Sequence, residues 1–312
     1  MSITLAESAK LSNDVLLQGV IETVIKDSPI LQAMPFIEIV GNGLTYNRET
    51  ALAAATWYAP LGDWTSTTAP TFDQLTATLQ VLGRNADVDS FIKQTRSNIQ
   101  DIEAAVLELA AKSVRMEFER AFIYGSTTTY LGITGDANSI NGLIKLILTG
   151  TASSQVIAMG ATGATLSLAK LDELIDAVRG GKPDLLLMSR RSRRKVTALV
   201  RASGAYVESA RNAFGEWIMM YNGIPIGVSD YITDVHTLAG SVETAITGAL
   251  CSTIYAMQFG EGAVCGATNG GIQVEPIGAL EGKDAVRNRI KWYCSLVDFN
   301  VIKRAALIGV QD

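Results

Sequence analysis

The sequence is poor in charge, in proline and in the residues that most often do chemistry. Of its 312 residues, 18% are charged and only 7 are proline, with one histidine and three cysteines. Average soluble chains carry about 25% charged residues, so this one is short by about twenty, and its mean hydropathy of +0.22 is high for a solitary monomer. The deficit implies that partners cover much of its surface. No apolar run reaches the roughly 18 uncharged residues a spanning helix needs, and Met1 to Lys10 lacks the basic region and apolar stretch of a signal peptide. The expected site of action is therefore a cytosol, with no membrane partner. A formal net charge of −5 argues against a dedicated nucleic-acid binder, because neutralising phosphates needs a basic surface. Non-specific proximity to DNA stays open.

Catalytic signatures are missing as well. Cys251, Cys265 and Cys294 are odd in number and without C-x-x-C spacing, which fits neither a zinc ribbon nor a disulfide framework. They read as reduced packing residues. His236 has Asp234 nearby but no G-x-S-x-G or other nucleophile motif, so a Ser-His-Asp assembly has no support and the histidine reads as a surface-loop residue. Gly180-Gly181-Lys182 is followed by Pro183, not by the Ser or Thr of a phosphate loop. Gly260-Glu261-Gly262-Ala263-Val264-Cys265 places Cys where the third dinucleotide-binding Gly or Ala belongs. Both read as turns. No catalytic residue, cofactor or metal site is expected and the chain is not read as an enzyme, although a carboxylate-only magnesium site stays open.

What is present is an order of parts. Residues 1–43 read as an extended arm with a short helix near Asn13 to Lys26, stopped by Ser28-Pro29. Leu44, Tyr46 and Arg48 open one alternating stretch. Leu75, Ala77, Leu79 and Val81 alternate with Thr76, Thr78 and Gln80 in another, the period of a half-buried strand. This predicts a long hairpin from about Leu44 to Asp89 with a loop rich in Ala, Thr, Trp and Pro between its strands. Two strands alone cannot bury an apolar face well, so the hairpin must lie on its own chain or on a neighbour.

Ser97-Asn98-Ile99-Gln100 matches a capping box. Ile99, Ile102, Val106, Leu109 and Met116 then recur at helical spacing until Gly125, predicting a strut about 40 Å long at about 1.5 Å per residue. Residues 125–165 read as loops or short strands around Gly142-Leu143-Ile144. Leu168, Leu171, Leu174, Ile175 and Val178 mark a second amphipathic helix. Leu185-Leu186-Leu187-Met188 reads as a buried strand, Ser189 as an N-cap, and Arg190 to Arg201 as a third helix. Strands with Gly turns follow, including the hairpin signal Tyr221-Asn222-Gly223, and a last alternating stretch buries Ile290, Trp292, Cys294 and Leu296. The class is α+β.

This order of parts, together with Thr45-Tyr46-Asn47-Arg48-Glu49, Asn141-Gly142-Leu143-Ile144, Lys182-Pro183-Asp184 through Lys195, Tyr221-Asn222-Gly223-Ile224-Pro225-Ile226 and Arg289-Ile290-Lys291-Trp292-Tyr293, resembles the tailed-bacteriophage major capsid protein and its Hong Kong 97-like fold. The resemblance covers essentially the whole chain. It implies an N-terminal arm at 1–43, an extended loop at 44–92, a peripheral domain at 93–185 with its spine helix at about 97–124, a mainly axial domain at 186–290, and C-terminal strands at 291–312 returning to the core. It also implies a structural role: hexamers and pentamers tiling an icosahedral shell around packaged double-stranded DNA in a virion, assembled in the bacterial host cytoplasm.

The partners implied are other copies of the chain, a scaffolding protein, a portal, and a decoration or cementing protein. A leading scaffold segment of the kind some family members carry is not expected. The same fold also serves encapsulin shells, which enclose cargo enzymes, so that reading is kept as the alternative.

Three groups of residues become candidate sites. Trp57, Tyr58 and Trp64 near the loop tip are expected inter-subunit anchors, the alternative being that they pack within their own subunit. Arg190, Arg191, Arg193, Arg194 and Lys195, on the first turns of the third helix, read either as a patch for phosphates or an acidic neighbour, or as a solvated helix face. Arg287, Arg289 and Lys291 share one strand face and read as a DNA-facing or acid-binding row, or as a salt-bridged structural strand. Finally, no Lys occurs between Lys26 and Lys93. The isopeptide cross-link made by a loop lysine in one branch of the family is therefore not expected here.

Overall fold

The computed structural model describes residues 29–51, 55–64, 69–96, 102–129, 134–150, 155–160, 163–204, 208–211, 217–232 and 251–311. The helix expected near Asn13 to Lys26, the Ser97 to Gln100 capping box, and Asp234 with His236 lie outside the described residues.

The described chain begins with a short helix, α1 (Pro29–Ala33), and a strand, β1 (Phe36–Glu38). Pro29 opens this helix, at the one helical position where a missing N–H costs nothing. A ladder of β2 (Gly43–Ala51) and β3 (Thr71–Thr78) follows, then β4 (Gln80–Asp89), α2 (Ser90–Arg96) and the long α3 (Ile102–Tyr124). Next come α4 (Leu143–Gly150), β5 (Val156–Ala158), β6 (Ala164–Thr165), α5 (Leu168–Ala177), β7 (Leu185–Met188) and α6 (Arg190–Ala202). The rest is mostly strand: β8 (Glu208–Arg211), β9 (Trp217–Tyr221), β10 (Ile224–Val228), β11 (Ser252–Met257), β12 (Val264–Leu280), β13 (Lys283–Asp298) and β14 (Arg304–Gln311). The architecture is α+β, as the sequence predicts.

These strands form three sheets. One has the order β1-β12-β13-β4 and carries α3 across one face. Its centre is an antiparallel pair of 17 and 16 residues, roughly 55 Å long at about 3.4 Å per residue. The second runs β5-β14-β11-β7-β10-β9-β8, with β6 also on β14. Alternate residues of its central strands enter two different cores. Leu185, Leu187, Tyr255, Met257, Ala306 and Ile308 join the α3 core, while Leu186, Met188, Ile254, Ala256, Ala305 and Leu307 pack with α5 and α6. Covering on both faces explains why Leu185-Leu186-Leu187-Met188 is apolar without alternation. The third sheet is the β2-β3 ladder alone.

Local signals behave as expected where the chemistry is local. Ser189 caps α6 by accepting from the Ser192 N–H, and Ser167 caps α5 in the same way from Lys170. Asn222 and Gly223 both have positive φ, 51° and 74°, which suits the tight turn joining β9 to β10. Gly180, Gly181, Gly260 and Gly262 all have positive φ and lie in bends or turns, as expected.

Three expectations need correction. Residues 143–150 are a helix, because Leu143, Ile144 and Ile147 present one short apolar face to the α3 core. Gly142 lets this helix approach: a Cβ there would lie 2.5 Å from the Ala121 carbonyl oxygen and 2.8 Å from that of Phe122. Second, the hairpin ladder ends at Thr78, and Gln80 to Asp89 pair with β13 instead. Apolar alternation continues across that switch of partner, so it could not mark it.

Third, the buried stripe of α3 runs through Ile102, Val106, Ala110, Val114 and Phe118, leaving Leu109 44% exposed and Met116 only half-buried. Each step of four overshoots a turn by about 40°, so the stripe winds around the helix. By Glu119, Ala121, Phe122 and Ile123 the buried surface is wider, with Arg120 still exposed. In addition, β13 runs unbroken from Lys283 to Asp298, through the 290/291 position expected between axial domain and C-terminal strands.

Candidate functional site

The hairpin is anchored only at its root. Leu44, Tyr46 and Arg48 face the body, while Thr45, Asn47 and Glu49 face solvent. Leu44, Tyr46, Ala77 and Leu79 pack on Ile39, Cys265, Ala267 and Val297. Tyr46 donates its hydroxyl to the Asp298 carbonyl at 2.8 Å and meets the Phe299 ring edge-on at 5.0 Å. Burial, and then the Asp298 carboxylate, raise the Tyr46 phenol above its ordinary value, so it remains a donor. Arg48 donates Nη2 to the Asp298 carbonyl at 2.5 Å and to its Oδ2 at 3.1 Å, and Nε to the Phe299 carbonyl at 3.2 Å. The same Oδ2 accepts from Nη2 of Arg304 at 2.6 Å, a guanidinium only 1% exposed.

Away from the root the hairpin stands clear of its subunit. From Glu49 and Asp73 outward every described side chain except that of Tyr58 is exposed. Tyr58 and Trp64 stack at 4.3 Å, and a turn between them closes through the Gly62 N–H to the Ala59 carbonyl. Trp57 is fully exposed, Trp64 is 83% exposed, and Leu61 and Phe72 are exposed beside them. The structure therefore brings two of the three expected anchors together and leaves the third in solvent. Tyr58 and Trp64 thus pack on each other within the chain, whereas Trp57 does not.

The basic helix is less uniform than its sequence. Arg190 pairs with Asp230, its Nη2 to Oδ2 at 2.9 Å. Ser192, Val196 and Val200 form the buried face, Arg191 and Lys195 are half-buried, and Arg193 and Arg194 are exposed. The strand row is the salt-bridged arrangement. Arg287 makes a two-pronged pair with Asp87 at 2.6 and 2.7 Å, Arg289 donates to Asn85 at 3.0 Å, and Lys291 pairs with Glu275 at 2.8 Å. The Arg287 hydrogen bonds hold Asp87 below its ordinary value, and Lys291 does the same to Glu275. Glu103 is lowered first by Lys93 and then by Asn288, which ties α3 to β13.

All three cysteines are buried and free. Burial pushes Cys265 up to about 11 and Cys294 up to about 12, which keeps both as unreactive thiols near neutrality. No group of three metal-ligating side chains occurs among the described residues, and no helix among them is long and apolar enough to cross a membrane. Sequence reasoning missed Asp298 and Arg304 altogether. The signal it had was Arg48 itself, a charge on the inward face of an alternating strand.

A body with a bare, aromatic-tipped hairpin is a part built to be completed by others, and the sequence matches the phage capsid family over residues 11–308. The chain belongs to that family. It is a shell-forming capsid protein with a structural role and a place in the virion capsid. No curated protein sequence matches it. Among solved structures, the SrpI encapsulin of Synechococcus elongatus PCC 7942 is similar at TM-score 0.70 and 15% identity, over 100% of this chain and 97% of that one. The capsid of an empty GTA particle gives 0.69 and 16%, over 98% of each chain. The Mycobacterium phage Bobi structure gives 0.63 and 16%, over 99% of each. At such identities the likeness shows the Hong Kong 97-like fold, and membership rests on the family match.

Proposed function

We propose that this capsid protein forms hexamers and pentamers that tile an icosahedral shell around double-stranded DNA. The observation that carries the reading is the hairpin: a two-stranded ladder with solvent on both faces beyond its root gains burial only from a neighbouring copy. Trp57, Tyr58 and Trp64 are the anchors of that contact. The functional divisions then follow the arm at 1–43, a loop whose free ladder ends at Thr78, a peripheral domain that takes in β4 and runs to 185, and an axial domain from 186 that β13 joins without a break to the closing strands. A net charge of −5 suits a container for DNA, since generic phosphate contact requires a few inward cations and no sequence readout. Arg193 and Arg194, exposed on α6, are the best placed for it, because the cations of the strand row already have partners within the chain.

A scaffolding protein, a portal and a decoration or cementing protein complete the assembly, which takes place in the bacterial host cytoplasm. Likeness to an encapsulin fold supports a second reading, in which the shell holds protein cargo. Electron microscopy of the protein expressed alone and with a scaffolding protein, followed by nuclease treatment of the purified particles, separates the two. Closed shells holding nuclease-protected double-stranded DNA are expected. Shells with stoichiometric protein cargo and no DNA would overturn the genome reading, and no shells under either condition would overturn both.

A further inference from the structure

We propose that Arg48 is the positioning residue that fixes the direction in which the hairpin leaves the body, through a latch on the corner between β13 and β14. The inference rests on the hairpin acting in assembly. Four hydrogen bonds cross from the root, and all of them end on Asp298 or Phe299. Arg48 makes three of the four, from the outermost root position that touches the body. A cavity of about 270 Å³ lies beside the latch, lined by Arg48, Asp298 and Arg304 together with Ala77, Asn141 and Leu146. With open space beside it and few other polar contacts at the root, the latch sets the angle, and the hairpin samples a wider range of directions when it is released.

The latch is built to be separable from the fold. Asp298 is 3% exposed and remains paired with the buried Arg304 when Arg48 is removed, so the interior keeps a balanced ion pair. Losing Asp298 instead removes the acceptor of the buried Arg304 Nη2 and so disturbs the core itself. Arg48→Met is therefore the informative variant, matching length without charge or donors. Arg48→Lys keeps the charge but offers one ammonium to acceptors that Arg48 reaches with two nitrogens.

The test combines shell yield, thermal melting and distances between spin labels at Ala59→Cys and Glu108→Cys, the native cysteines being buried. In Arg48→Met the melting temperature is expected within about 5 °C of the parent. Its distance distribution broadens and closed shells fall at least tenfold, with Arg48→Lys intermediate in both. Normal shell yield, or an unchanged distance distribution, would overturn the proposal. So would failure of Arg48→Met to fold, since the body must stand without the latch. Removing residues 53–70 distinguishes this from the parent reading: normal shells after that deletion refute the hairpin's role itself, whereas no shells after the deletion with normal shells from Arg48→Met refute only the latch.

Discussion

Replacing Trp57 by Ala should damage the shell and spare the subunit. The indole is fully exposed in the isolated chain, so truncation removes no intramolecular packing and should change subunit stability by no more than about 0.5 kcal/mol. In a shell the same ring has roughly 150–250 Å² to bury, which at about 25 cal/mol per Å² sets a ceiling near 4–6 kcal/mol. Ordering the loop and imperfect fit reduce this, and truncated aromatic hot spots typically cost about 2–4 kcal/mol. That corresponds to about 30- to 700-fold in each pairwise association constant at about 1.4 kcal/mol per decade. Because every copy makes the contact, light scattering against protein concentration should show the onset of assembly moving up by at least the lower figure. An onset unchanged within a factor of about three, or a fall of more than about 5 °C in subunit melting temperature, would refute the reasoning; the latter would mean that Trp57 packs at home.

Three further outcomes are expected. Gly142→Ala forces a Cβ to 2.5 Å from the Ala121 carbonyl oxygen and should cost about 1–3 kcal/mol in urea melting, by prising α4 from α3. Asp87 and Glu103 have lowered pKa values, so their stabilisation is complete above the ordinary carboxylate range and is lost as pH falls through the lowered values. Hydrogen exchange should therefore show the β4-β13 ladder opening in acid before β7 and β11, and Asp87→Asn should blunt that dependence. A denaturing gel of mature particles should show one band near 33.3 kDa, because the hairpin carries no lysine; a ladder of covalent oligomers surviving reduction would contradict this.

How much was legible follows from the range of each interaction. Ser189 as a cap, Asn222-Gly223 as a turn and the buried Leu185 to Met188 strand depend on neighbours within a few residues, and all three could be read directly. α4 could not, because eight residues give barely two turns of periodicity and its glycine flank suggested loop. The end of the hairpin was invisible for a different reason: Leu75, Ala77 and Leu79 alternate identically whether the partner is β2 or β13. The partners of Arg287 and Arg48 lie 200 and 250 residues away. A sequence shows that such a cation exists and shows nothing of what neutralises it.

The pairing of distant segments has a consequence in time. β1 and β4 border strands some 200 residues further on, β7 sits between β10 and β11, and the hairpin root waits for the corner at Asp298 and Arg304. Among the described strands, the β2-β3 ladder is the one pairing made wholly within the first half of the chain. Its aim is undefined until Arg304 leaves the ribosome. On the proposed role of the hairpin, a half-made chain carries its aromatics before it can point them, while a finished one does both together, so translation itself delays productive association until the subunit is whole.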